Sequence, residues 1–247
     1  MSNLINHSHG TSVVKVKPVN GRCLAKKITD VLPSNSWAGQ TCFILGGGPS
    51  LEGFDYRQIV GFHTIGINKT FQSFSVEVNY AMDYNFFDLV QYNNVNPRDP
   101  EYKLHQEWLA YSGIKLFIRH DHTYRFCEGI YFVDEITRKE ICFDLNVGLY
   151  PGNNSGMGAL MLAVALGCKR IGLLGYDFKV QGSKTHWHSG YANQDKKSFV
   201  VNLDKFRTCI EEFAPTILEM GIEVVNLSSD SSLQIFPKSS IKTFLSF

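Results

Sequence analysis

The chain is 247 residues long, 44% hydrophobic and 19% charged, which suits one large globular domain with a sizeable buried core. A formal net charge of +1 excludes a global field for nucleic acid or an anionic membrane. No apolar run reaches membrane-spanning length, and the N-terminus lacks a signal-peptide core, so no transmembrane segment is expected. Cys23, Cys42, Cys127, Cys142, Cys168 and Cys209 are scattered without a C-x-x-C pair. They read as free thiols in a reducing compartment, which makes the cytoplasm the expected location. Abundant Phe and Tyr point to a thick aromatic core or to stacking surfaces in a cleft.

Residues 1–40 read as a polar tail followed by a basic strand region, in which Val14 to Lys17 alternate and stop at Pro18. A main domain spans 41–230, and 231–247 form a C-terminal tail. The run Cys42-Phe43-Ile44-Leu45 is apolar without alternation, as a buried parallel strand is. Gly46, Gly47 and Gly48 end it, and Pro49 and Ser50 open a short helix with Ser50 as its cap. Such a turn is either a bare tight turn or a phosphate cradle of outward N–H groups. It is neither a P-loop nor a complete G-x-G-x-x-G fingerprint. Phe62 to Ile67 form a second strand closed by Asn68, and Val76 to Met82 a third ending at Asp83. Strands that end in glycines, Asn68 and Asp83 place polar groups on one rim of an α/β sheet.

A short helix and loop over 84–100, a helix from Glu101 to Tyr111 and a strand over Ile114 to Ile118 follow. Residues 123–149 read as an inserted hairpin or lid, with strands at Gly129 to Val133 and Glu140 to Phe143. Asn154 and Ser155 then start a helix of small residues that stops at Gly167, and Arg170 to Gly175 form the next buried strand, ending in Tyr176-Asp177-Phe178. Residues 179–198 form a mobile polar loop containing His186, His188 and Tyr191, Leu203 to Met220 an amphipathic helix, and Gly221 to Leu227 the final strand. The fold class is therefore α/β: a Rossmann-like open, mostly parallel sheet with helices on both faces and a small lid or insertion.

The candidate chemistry sits at the strand ends. His188 is a proton-transfer group or a structural loop histidine. Asp177 holds a sugar hydroxyl, orients a histidine or caps a turn. Asn68 and Asn154 can donate to phosphate or sugar oxygens without adding charge, and Ser155 is a phosphate contact or the helix cap. His186 and His188 with Asp177 offer metal-ligand chemistry but lack a third close ligand in the local sequence, and His120-Asp121-His122 is a similar signal that reads otherwise as loop polarity. No G-x-S-x-G elbow and no cysteine–histidine nucleophile spacing occurs.

The run ILGGGPSL at 44–51, the GIN at 66–68, the stretch from Asn153 to Phe178 and the histidine loop occur in an order that resembles the bacterial sialyltransferases of the Campylobacter lipooligosaccharide type. It is also similar to the related DUF115 proteins, which include motility-associated glycosylation factors and 6-hydroxymethylpterin pyrophosphokinase. The resemblance covers residues 41 to 227. It implies an enzyme, a glycosyltransferase that moves a sugar from a nucleotide-sugar donor to the hydroxyl of a glycan or small-molecule acceptor, with no cofactor. It puts Gly46, Gly47, Gly48, Ser50, Asn68, Ser155 and Gly156 at the donor and His188, with His186 as alternative, as general base. Gly47 stands where the family's turn carries asparagine. Lys179 and Val180 stand where tyrosines assist the leaving phosphate, a role left to Tyr191, Trp187 or Lys179. Asp83 and Asp177 would carry the alternative, a Mg²⁺-dependent pyrophosphokinase or other nucleotide-dependent transferase. A third reading is a non-catalytic nucleotide- or sugar-binding module, and a homo-oligomer is compatible with all three.

Overall fold

The computed structural model describes residues 26–90, 98, 100–119, 129–188 and 196–246. The expected strand at 14–17, the His120 to His122 cluster and Tyr191 lie outside them, as do Cys23 and Cys127. Eight strands form one sheet: β1 (Lys26–Lys27), β2 (Thr41–Leu45), β3 (His63–Ile67), β4 (Val78–Ala81), β5 (Ile114–Arg119), β6 (Ile130–Asp134), β7 (Arg170–Leu174) and β8 (Glu223–Asn226). Their order is β1-β6-β5-β4-β3-β2-β7-β8, and every pair is parallel. The helices are α1 (Tyr84–Val90), α2 (Pro100–Ala110), α3 (Ser155–Ala165), α4 (Lys196–Glu219) and α5 (Ile241–Phe244).

Helices cover both faces, so each strand must be apolar on alternate residues in both directions. In β2, Cys42 and Ile44 point into the core shared with α3 and α4, whereas Phe43 and Leu45 point into the core shared with α1 and α2. The second core is the aromatic one: Phe71, Phe86, Phe87, Trp108, Tyr111 and Phe117 pack there edge-to-face or tilted. The many aromatics thus serve mainly packing rather than a cleft surface. Helix α3 is buried from Met157 to Ala165, which explains its run of small and apolar residues without a polar stripe. It ends in a Schellman motif, with Cys168 N–H donating to Ala163 O, Gly167 N–H donating to Val164 O, and Gly167 at φ 85°.

Several expectations are corrected. The 129–149 segment is not a hairpin: Ile130–Asp134 lies inside the main sheet, parallel to β5 on one side and β1 on the other. Glu140 to Phe143 form no strand but an irregular connection. The Lys26–Lys27 strand and the buried Ile28, Leu32 and Trp37 tie residues 26–40 into the domain. The C-terminal segment is no free tail either, since Leu233, Phe236 and Phe244 are buried and Asn226 N–H donates to Pro237 O. Helix α4 begins at Lys196 instead of Leu203. No disulfide joins the described cysteines Cys42, Cys142, Cys168 and Cys209.

After β2 the chain builds β3 and β4 to one side, and β7 and β8 lie on the other. The connections leaving β2 and β7 therefore diverge, and the crevice opens at their carboxyl ends.

Candidate active site at the carboxyl edge

Glycines bring the ends of β2 and β7 into close contact. A Cβ at Gly46 would lie 2.6 Å from Gly175 O, and one at Gly48 would overlap the Asp177 carboxylate. The Gly46 N–H donates to Leu174 O at 2.7 Å and the Gly48 N–H to Gly175 O at 2.9 Å. Asp177 is buried and accepts from Ser50 Oγ at 2.8 Å and from Ser50 N–H at 3.4 Å, so the protein's own carboxylate sits at the start of the Pro49–Leu51 turn. Burial pushes the Asp177 carboxyl above its usual range, and the Ser50 hydrogen bonds oppose that rise. Ser50 Oγ, its own proton given to Asp177, accepts from Ser228 Oγ at 3.1 Å, and Ser228 in turn accepts from Tyr176 N–H, latching the turn after β8 to the end of β7.

The Gly46 and Gly48 N–H groups are therefore engaged by the backbone after β7 and do not point outward. Of the glycine turn, the Gly47 N–H alone makes no hydrogen bond among the described residues. Ser50 is not the cap, because Gly48 holds that position without a side-chain bond. A second set of open polar groups lies at the start of α3. There Asn154 caps the helix, its Oδ1 accepting from Met157 N–H at 2.9 Å, while its Nδ2 donates to Asn153 Oδ1 and to Phe206 O. The N–H groups of Ser155 and Gly156 carry no bond among the described residues, and Ser155 Oγ is buried without a partner. Asn68 Oδ1 is likewise buried and unpaired, on a residue at φ 52° just past β3. Buried polar groups left open cost stability unless something fills them, so these atoms mark the ligand side of the site.

The atoms converge on a cavity of about 390 Å³ lined by the glycine turn, Asn68, Asp83, Asn154 to Gly156, Asp177, Lys179, His186 and His188. Of the expected residues that are described, Ser50, which stands behind Asp177, and Trp187 are outside the lining. Lys179 pairs with Asp230 at 2.5 Å, which places its ammonium at the rim. The 185–188 segment lies over the glycine turn, with Trp187 N–H donating to Gly47 O at 3.1 Å. His186 stacks on His188 at 4.8 Å between centroids and against Phe199 at 4.7 Å. Burial, with Lys69 nearby, lowers the His186 pKa to about 4. No group of three or more metal-ligating side chains occurs among the described residues.

Phe178, Phe199, Asn202, Leu203 and Phe206 also line the cavity and were not legible as site residues. Four of them belong to α4, whose i, i+3, i+4, i+7 spacing is the one local signal that they share a face. Phe178 adopts φ 48°, a left-handed conformation unusual for an aromatic residue and held here by the turn after β7.

No protein-family model and no curated protein matches the chain. Among solved structures it is similar to the sialyltransferase CstII from Campylobacter jejuni in complex with the substrate analogue CMP-3FNeuAc, at 15% identity over 81% of this chain and 86% of that one, with a TM-score of 0.48. A second is the sialyltransferase CST-II in complex with a trisaccharide acceptor and CMP, at 16% identity, 81% and 86% coverage and a TM-score of 0.48. A third is the MAf glycosyltransferase from Magnetospirillum magneticum AMB-1, at 12% identity and a TM-score of 0.47, covering 86% of this chain and 35% of that one.

Proposed function

We propose that the protein is a glycosyltransferase that moves a sugar from a nucleotide-sugar donor to an acceptor hydroxyl. The observation that carries this is that one cavity is lined both by the open N–H groups at the start of α3 and by an imidazole pair. Ser155 and Gly156 share with His186 and His188 the space at the β2/β7 switch point. The sequence resemblance to the sialyltransferases supports the same assignment. The α3 N-terminus and the Gly47 N–H would hold the donor phosphate, where negative charge grows as the sugar–phosphate bond breaks. The acceptor oxygen forms the new bond to the anomeric carbon, and its proton passes to His188. Asn68 Oδ1 accepts from a donor hydroxyl or amine. Each group is uncharged or a backbone dipole, and the reading requires no metal.

The pyrophosphokinase alternative has less support. It calls for carboxylates turned toward a metal-bound polyphosphate, and of the two acids lining the cavity Asp177 is directed onto Ser50. A thermal-shift screen of nucleotides and nucleotide sugars tests the proposal. A nucleotide sugar should stabilise the protein and be hydrolysed slowly without Mg²⁺. His188→Ala should lower that turnover by about 100- to 10,000-fold with binding retained. If no nucleotide stabilises the protein, the reading fails. Tight binding without turnover of any donor would make it a binding module.

A further inference from the structure

We propose that His186 is a ligand-positioning residue, its imidazole packed tightly against position 47, and not a proton-transfer group. The inference rests on the glycosyltransferase reading and divides two histidines that the sequence left interchangeable.

A Cβ built on Gly47 would meet one side chain within 4 Å, the His186 imidazole, with Cδ2 at 3.1 Å and Nε2 at 3.9 Å. Glycine at 47 thus has a different cause from its neighbours. Gly46 and Gly48 let backbone and carboxylate pass, whereas Gly47 admits a ring from a distant loop. That ring is fixed from several sides: Thr185 Oγ1 lies 2.9 Å from Nδ1, His188 stacks on one side and Phe199 on another, and the Trp187 N–H to Gly47 O bond pins the strap. A ring so held, next to the open Gly47 N–H, contacts whatever occupies the cavity above the turn.

Its titration agrees with a binding role. The charged groups around it are Lys69 after β3, Asp83 after β4, and Asp177 and Lys179 after β7. His188 stacks beside it, and α4 presents Phe199, Asn202, Leu203 and Phe206. Burial and Lys69 lower its pKa to about 4, so the imidazole is uncharged near neutrality and gives no kinetic inflection there.

Steady-state kinetics with the nucleotide sugar identified by the screen, run across pH on the full chain, test this. His186→Ala should raise donor KM about tenfold, change kcat little and keep the acidic limb of the pH–rate profile. His188→Ala should lower kcat and abolish that limb. Gly47→Ala should raise KM by displacing the ring, and adding it to His186→Ala should cost nothing further, because the ring is gone. His186→Asn and Gly47→Ser, checked by thermal unfolding, replace any variant that does not fold. Loss of the acidic limb in His186→Ala, or additive effects at 47 and 186, overturns the inference while the functional reading stands. Failure of every nucleotide to bind removes both.

Discussion

The Asp177 carboxylate is the residue on which the glycine turn closes. It is buried, it excludes any side chain at Gly48, and Ser50 donates to it from both its Oγ and its N–H across the β2/β7 junction. Removing one partner of a buried charged group costs more than the bond itself contributes. Ser50→Ala should therefore destabilise the protein by about 1.5 kcal/mol in denaturant unfolding, and by clearly less in an Asp177→Asn background. An undiminished effect in that background would show that Ser50 acts elsewhere, for instance through Ser228. The pH dependence follows from the raised pKa. The folded state holds the Asp177 proton more tightly than the unfolded chain, so its favourable contribution is present below the usual carboxylate value of 3.8 and is lost as pH rises through the raised one. Wild type should gain on Asp177→Asn as pH falls toward 3.8, and a constant difference would contradict the assignment. None of this was legible locally. Asp177 and Ser50 are 127 positions apart, and the same serine reads equally as a helix cap.

At the scale of elements, α3 couples the sheet to the site. Its first turn offers the open N–H groups, and its fourth residue, Gly158, packs on β4, where a Cβ would overlap the Tyr80 hydroxyl and lie 2.7 Å from ring carbons. Gly158→Ala should thus destabilise by about 2 kcal/mol by overpacking, read as a lower midpoint with an unchanged slope. An unchanged midpoint would mean that α3 stands off the sheet. Because a displaced α3 also moves Ser155, the variant should weaken nucleotide binding as well. Strand identity was legible because a strand buried on both faces is a continuous apolar run, as in Cys42 to Leu45 or Ile171 to Leu174. Pairing was not. Ile130–Asp134 has the composition of either a hairpin arm or a central strand, and only its long-range register with Lys115 to Arg119 decides. The early start of α4 was hidden because Lys196, Lys197 and Ser198 carry no apolar periodicity.

For the whole molecule, the topology gathers the candidate chemistry at one edge of the sheet, and the histidine strap covers part of that edge. His186 is half-buried beside Lys69, and its pKa falls from 6.5 to about 4 on folding. The unfolded chain therefore binds a proton between those two values that the folded protein refuses. Stability must rise with pH across that window and fall on acidification, with no further contribution below about 4. A depression of this size corresponds to about 2 kcal/mol once the remaining solvent exposure of the ring is allowed for. Carboxylates elsewhere titrate over the same range, so the contrast with a variant isolates the histidine. His186→Asn should keep a polar side chain under the strap and lose this component. Urea unfolding of both proteins at intervals from pH 7 to pH 4 should show the wild type losing about 2 kcal/mol more than the variant, with most of the divergence below pH 6.5. Parallel curves would mean that the ring reaches water in the folded protein. The site would then be open where a transferase must exclude water from the donor, and the binding role assigned to His186 would lose its physical basis.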